Sequence, residues 1–216
     1  ETSPCYCPDN SNAATYLQWE EAWKEFGRKH SYRVRVFRCA GIYGASRSSL
    51  HTIYKKGIEI ETKEPKKRNG GGGKLSSSAT FPPSWTNRIH ESDLVAAVLA
   101  SMLQDATSTS TSASDFEIYN LADNLPESRQ IVFAHAQELL ASRSIEIPVR
   151  ELPTAMQTKR SVRRSQENKR ISNRKMREHL LPQLKFPTYI EGLQDILEQP
   201  NAPWSRVPRK SSAATE

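Results

Sequence analysis

Apolar positions first recur at helical spacing between about Ala13 and His30. Tyr16, Trp19, Trp23 and Phe26 form one stripe, with Glu20, Glu21, Lys24 and Glu25 around it. Tyr16, at the head of the stripe, reads as a core residue. Gly27 suits a helix stop. The period then changes to two: across Tyr32–Cys39, Val34 and Val36 alternate with Arg33, Arg35 and Phe37, the pattern of a strand with one buried face. Ala40-Gly-Ile-Tyr-Gly44 is a tight strand exit. Further helices are expected over Ser48–Lys56, Asp93–Gln104 (capped by Ser92 or Asp93), Glu127–Ser142, Ser172–Leu181 and Tyr189–Glu198, the last capped by Thr188. Phe116–Leu121 alternates as a second strand, and Ile145–Leu152 reads as extended. Residues 1–12, 63–78, 107–114 and 159–170 read as loops, and 200–216 as a disordered tail.

Helices interleaved with a few strands predict α/β layering. Two good strands cannot make a sheet that these helices would cover, because an isolated strand pair is marginal. The expected architecture is therefore the C-terminal part of a larger doubly wound parallel sheet with a small extra lobe. Strands 33–38 and 116–121 should lie side by side or one strand apart, in parallel, covered by helices 14–29, 93–105 and 127–142. The chain begins with Glu1 and shows no signal-peptide pattern, which agrees with the expectation of a fragment. Missing strands would leave a sheet edge and the apolar faces of Trp19, Trp23, Val95 and Leu99 uncovered.

Composition narrows the classes. Among 216 residues, 36% are hydrophobic and 25% charged, and no run of about 20 apolar residues could span a membrane. Three cysteines do not make a disulfide scaffold; such sparse usage fits a reducing compartment, cytoplasm or plastid. The net charge of +7 is a local matter. Nine Lys/Arg and one acid, Glu167, fall within 159–177, and the rest of the chain is almost neutral. No aromatic residue lies between Lys159 and Arg177 to stack a base, which argues against nucleic acid as partner.

Most familiar motifs are absent. Arg68–Leu75 has Arg where a P-loop needs its first glycine and Leu75 where it needs a hydroxyl. Cys5 and Cys7 have no partner pair for zinc, and no metal site is expected. Neither HExxH, G-x-S-x-G nor G-x-G-x-x-G occurs. None of the seven tyrosines is followed four residues later by lysine.

Five segments in order carry a composite signal: Arg38-Cys-Ala-Gly-Ile-Tyr-Gly44, Asn87-Arg-Ile-His-Glu-Ser-Asp-Leu94, Tyr119-Asn-Leu121 with Asp123, Lys169-Arg-Ile-Ser-Asn173, and Phe186-Pro-Thr-Tyr-Ile-Glu-Gly-Leu193. Over roughly residues 1–198 the chain resembles the C-terminal part of an extended or atypical short-chain dehydrogenase/reductase, of the NAD(P)-dependent epimerase/dehydratase group. The resemblance implies an α/β fold of Rossmann type. Residues 1–50 would hold the last helix and strand of the dinucleotide-binding domain, 51–198 the substrate lobe with the remaining strand and helices, and 199–216 a tail. It places Ala40, Gly41, Ile42 and Tyr43 beside the nicotinamide, although the same residues also read as a plain strand exit. Arg88 and His90 are the substrate-side candidates, and His90 with Asp93 also suits an anchor for the following helix. Thr86 stands where many nucleotide-sugar epimerases have an arginine. The superfamily's Tyr-x-x-x-Lys pair is not encoded here, so no catalytic residue is assigned. NAD or NADP is expected for the full-length protein and none for this chain alone. Two functions remain open: part of an NAD(P)-binding oxidoreductase or epimerase acting on a small molecule, or a non-catalytic scaffold of the same fold whose basic loops meet an acidic partner.

Overall fold

The computed structural model describes residues 12–60, 85–107, 116–147, 149–151 and 170–206. They divide into two compact units. Unit 1 draws on Glu1–Ile42, Arg88–Asn124 and Ile171–Pro187; unit 2 on Tyr43–Asn87, Leu125–Arg170 and Thr188–Glu216.

Unit 1 is built on two parallel strands, β1 (Val34–Cys39) and β6 (Phe116–Leu121), paired side by side from Val34↔Phe116 to Cys39↔Leu121. The alternation of β1 sends its side chains to two helices. Even positions meet α1 (Asn12–His30): Val34 lies under Gly27, and Arg38 donates to both Glu20 oxygens at 2.9 and 2.6 Å. Odd positions meet the opposite layer. Arg35 donates to the Ser101 carbonyl of α3 (Glu91–Thr107) at 2.9 Å and to Glu117 at 3.2 Å, and Phe37 packs on a core of Ile89, Ala97, Tyr119, Leu121 and Met176. α5 (Arg174–His179) supplies Met176 to that core. Burial, then the neighbouring Glu117, pushes the Tyr119 hydroxyl up to about 12. The helix–sheet–helix order is the layering the sequence predicts.

Gly27 is not a helix stop. The helix runs on to His30 and breaks at Ser31, whose φ is 56°. A Cβ at 27 would sit 2.7 Å from Val34 Cγ2 and 2.9 Å from the Tyr32 carbonyl, so the glycine serves close approach of helix and strand. Tyr16 is not core either. It is 59% exposed and meets Trp19 edge-on at 5.4 Å.

Unit 2 packs three helices: α2 (Ser49–Lys56), α4 (Arg129–Ser142) and α6 (Tyr189–Glu198). Leu50, Ile53, Val132, Ala136, Leu140, Leu193 and Ile196 form its core. The expectation that residues 127–142 cover the β1–β6 sheet is corrected: α4 buries its apolar face against α2 and α6. Each helix is capped by its own hydroxyl: Ser48, Ser128 and Thr188, the last in a capping box with Glu191. Short ladders complete the unit. β3 (Ile58–Ile60) pairs in parallel with β8 (Val149–Glu151), within the stretch expected to be extended, and β4 (Trp85–Thr86) pairs antiparallel with β7 (Glu127–Ser128).

The chain does not leave the core at Pro200, which corrects the expected tail as far as Arg206. A 3-10 helix over Pro203–Arg206 inserts Trp204, 4% exposed, whose indole N–H donates to the Leu197 carbonyl at 3.0 Å. The expected loops at 63–78 and 159–169, the polar loop over most of 107–114, and residues 207–216 lie outside the described residues.

Candidate functional site

Parallel strands in α/β sheets present ligands at their C-terminal ends, where the turns diverge. In unit 1 that end holds Ala40–Ile42 after β1 and Ala122–Asn124 after β6. The Ala40 N–H donates to the Leu121 carbonyl at 2.9 Å, tying the two exits together. Gly41 and Ile42 then turn outward, and Ile42 is 46% exposed. They open β2 (Gly41–Tyr43), which pairs with β5 (Arg88–His90). Ala40, Gly41 and Ile42 thus give a backbone turn with one accessible apolar side chain, a surface on which a planar ring can lie.

The surrounding polar groups hold this end in place. The Asp123 N–H donates to the Arg88 carbonyl at 2.6 Å and the Asn124 N–H to the Pro187 carbonyl at 2.8 Å. Asn173 donates through Nδ2 to the Ala122 carbonyl and to Asn124 Oδ1, both at 2.8 Å. Asp123 itself is buried. Asn173 was legible only as part of the Lys169–Asn173 motif; its bonds tie segments far apart in sequence, which spacing does not reveal.

His90 is buried, its ring 4.1 Å from that of Phe186, and its Nδ1 accepts the Ser92 N–H at 3.2 Å at the start of α3. The Asp93 carboxylate accepts the Lys185 and Phe186 N–H groups at 2.7 and 3.0 Å. Neither Ser92 nor Asp93 therefore caps α3 as expected. The imidazole meets the first orphan donor, and Asp93 fastens a distant loop. His90 is thus in the anchoring role. Arg88 contributes its backbone carbonyl to Asp123, and its side chain is half-buried.

Tyr43 closes β2. It begins unit 2, is buried in that unit's core, and its hydroxyl donates to the Thr188 carbonyl at 3.4 Å. The ring lies directly against Gly192, where a Cβ would come within 2.8 Å of Cε2 and Cζ. In unit 2 the Ser48 Oγ and His51 Nδ1 are 2.8 Å apart, beneath Trp204 at 5.0 Å between rings. Burial is the main cause holding the His51 pKa below its ordinary value. Both side chains are occupied at the α2 cap, which explains their burial without catalysis. Among the described residues no group of three or more His, Cys, Asp or Glu could hold a metal ion, and no helix is long and apolar enough to cross a membrane.

Unit 1 also carries apolar surface that nothing among the described residues covers. Trp19 and Trp23 are 57% and 56% exposed on α1, and Val95 and Leu99 are each 52% exposed on α3. β1 has β6 as its only ladder partner among the described residues.

No protein-family model matches the chain, and no curated protein matches it in sequence. Solved structures do match its fold. A functionally unknown conserved protein from Silicibacter pomeroyi aligns with a TM-score of 0.61 and 26% identity, over 91% of this chain and 58% of that one. RMD from Pseudomonas aeruginosa, solved with NADPH, aligns with a TM-score of 0.56 and 14% identity, over 91% and 57%. The dTDP-glucose 4,6-dehydratase DesIV from Streptomyces venezuelae, solved with NAD bound, aligns with a TM-score of 0.57 and 14% identity, over 91% and 52%. The chain spans little more than half the length of each. With the parallel β1–β6 pair between two helical layers, these likenesses show that the chain shares the Rossmann-type α/β fold of these structures.

Proposed function

We propose that the chain is the C-terminal, substrate-side part of an NAD(P)-dependent oxidoreductase of the epimerase/dehydratase type acting on a small molecule. In this reading the Ala40–Ile42 turn forms part of the nicotinamide wall, and Tyr43 holds that turn from the core side. Arg88 stands on the substrate side, while His90 stays an anchor. The observation that carries the reading is the Ala40–Ile42 turn, exposed at Gly41 and Ile42, at the C-terminal end of a parallel β1–β6 pair. The uncovered helix faces of α1 and α3 and the open edge of β1 support a larger sheet around this pair.

The cofactor would gain most of its affinity elsewhere. In a Rossmann fold the pyrophosphate meets a glycine-rich first βα turn and a helix N-terminus, and this sequence holds no G-x-G-x-x-G. A nicotinamide wall alone offers van der Waals contacts of about 0.1–0.2 kcal/mol per atom pair, too little against the entropy of association. Calorimetry with NADH and NADPH tests this on the 216-residue chain and on the chain joined to whatever precedes Glu1 in the full-length protein. Binding by the longer chain only is expected. Micromolar binding by the short chain overturns the division of labour, and binding by neither overturns the cofactor reading.

A further inference from the structure

Helix α1 carries an apolar groove among its exposed residues. Trp19, Ala22, Trp23 and Phe26 line it, and its volume is about 270 Å³. Tyr16 and Trp19 pair edge-on at 5.4 Å, and Trp23 and Phe26 at 5.6 Å, while Ala22 is exposed in the groove. The side of α1 that meets β1 is a different one. There Glu20 holds Arg38, Gly27 lies on Val34, and Leu17 is half-buried. At 3.6 residues per turn the two sides are more than a quarter-turn apart, so β1 does not fill the groove.

The four lining residues stand at positions i, i+3, i+4 and i+7. That is the spacing of a hole on one helix into which a side chain of a second helix packs. Charge narrows the choice of second helix. Between Tyr16 and Lys29, three glutamates are balanced by Lys24, Arg28 and Lys29, and Glu21 and Glu25 are paired within α1 with Lys24 at 3.1 Å and Arg28 at 2.6 Å. Such a face does not repel a copy of itself and gives a strongly charged partner nothing to meet. An antiparallel copy on a two-fold axis through the groove puts Trp19 opposite Phe26 of the second copy and brings the two Ala22 methyls together at the axis. Aromatic side chains bury about 150–250 Å² each, so Tyr16, Trp19, Trp23 and Phe26, each about half exposed, offer on the order of 400 Å² per copy. With Gln18, Glu25 and Lys29 at the rim, a pair of copies reaches about 1,000 Å², the low end for a specific interface.

We propose that α1 is a self-association surface, on which a second copy of this chain seats its own α1 antiparallel through the groove of Trp19, Ala22, Trp23 and Phe26. The proposal uses unit 1 alone and does not rest on the cofactor reading. Sedimentation velocity on the 216-residue chain should show a monomer–dimer equilibrium that shifts with concentration. Ala22→Arg puts a charge into the groove at an exposed helical position, and should weaken the dimer at least tenfold with an unchanged circular dichroism spectrum. In a background with Cys5, Cys7 and Cys39 replaced by serine, Ala22→Cys should cross-link into dimers under mild oxidation, and Lys29→Cys, far from the axis, should not. A monomer at every concentration overturns the proposal. So does a dimer that Ala22→Arg leaves intact, because another surface then holds it. Cross-linking through Lys29→Cys and not through Ala22→Cys overturns the antiparallel register. The same measurements on the chain joined to whatever precedes Glu1 in the full-length protein test the competing cover: a monomer there shows the groove filled by its own polypeptide and overturns the second copy as occupant.

Discussion

The two units solve the burial problem differently. Of the twelve large apolar residues exposed among the described residues, ten lie in unit 1 and only Ile131 and Ile190 in unit 2. Unit 2 closes its core from all three helices and seals it with Trp204. Unit 1 has comparably apolar helices, yet α1 turns Trp19 and Trp23 outward and α3 turns out Val95 and Leu99. Within unit 1 the two strands also differ. Tyr119 and Leu121 of β6 are fully buried, whereas every residue of β1 from Val34 to Arg38 is only half-buried. An apolar stripe therefore shows that a face is meant to be covered, without showing that its cover lies in the same stretch of chain.

The sharpest way to break the contrast is to open the closed unit. Trp204→Ala removes a fully packed indole and its bond to Leu197, and should cost about 3–5 kcal/mol in chemical denaturation. A loss under about 1 kcal/mol would mean that the 3-10 segment is not part of the core. Gly192→Ala comes next. Its Cβ would meet the Tyr43 ring, so a cost of about 1–3 kcal/mol is expected. Tyr43→Leu should recover most of it, and a double-mutant cycle that shows simple additivity would disprove the contact.

A pH effect should also separate the units. His51 is held below its ordinary pKa by burial, so the unfolded chain binds more protons between the folded value and about 6.5. Its contribution is present above the unfolded value. It is lost as the pH falls through that value, and levels off below the folded one. The melting temperature of unit 2 should therefore drop on acidification, and His51→Gln should flatten that response. The smallest effect belongs to the open unit: Trp23→Gln should change stability by no more than about 0.5 kcal/mol while reducing self-association in sedimentation. A large loss there would place Trp23 in a core.

Much of the layering was legible in the sequence because it rests on period. Val34–Cys39, Phe116–Leu121 and the helices around them each repeat long enough to show a face. Four features were not legible. Ladders of two or three residues such as β4–β7 have no period to read. Asp93 looks like a cap until its carboxylate is found on the Lys185 and Phe186 amides. Gly27 mimics a stop because close approach and chain reversal favour the same residue. Trp204 sits among prolines that signal a tail. At the candidate site, the Ala40–Tyr43 turn was legible from its motif, while the inward course of Tyr43 depends on Gly192, far along the chain.

Amide hydrogen exchange measures the central contrast most directly, residue by residue, on the 216-residue chain. An open unit 1 predicts that amides of Val34–Cys39 turned away from β6 exchange at nearly unprotected rates, while those of Leu193–Leu197 exchange at the rate of global unfolding. Joining the preceding polypeptide should slow the β1 amides and leave those of α6 unchanged. Equal protection of β1 and α6 in the short chain would contradict the account.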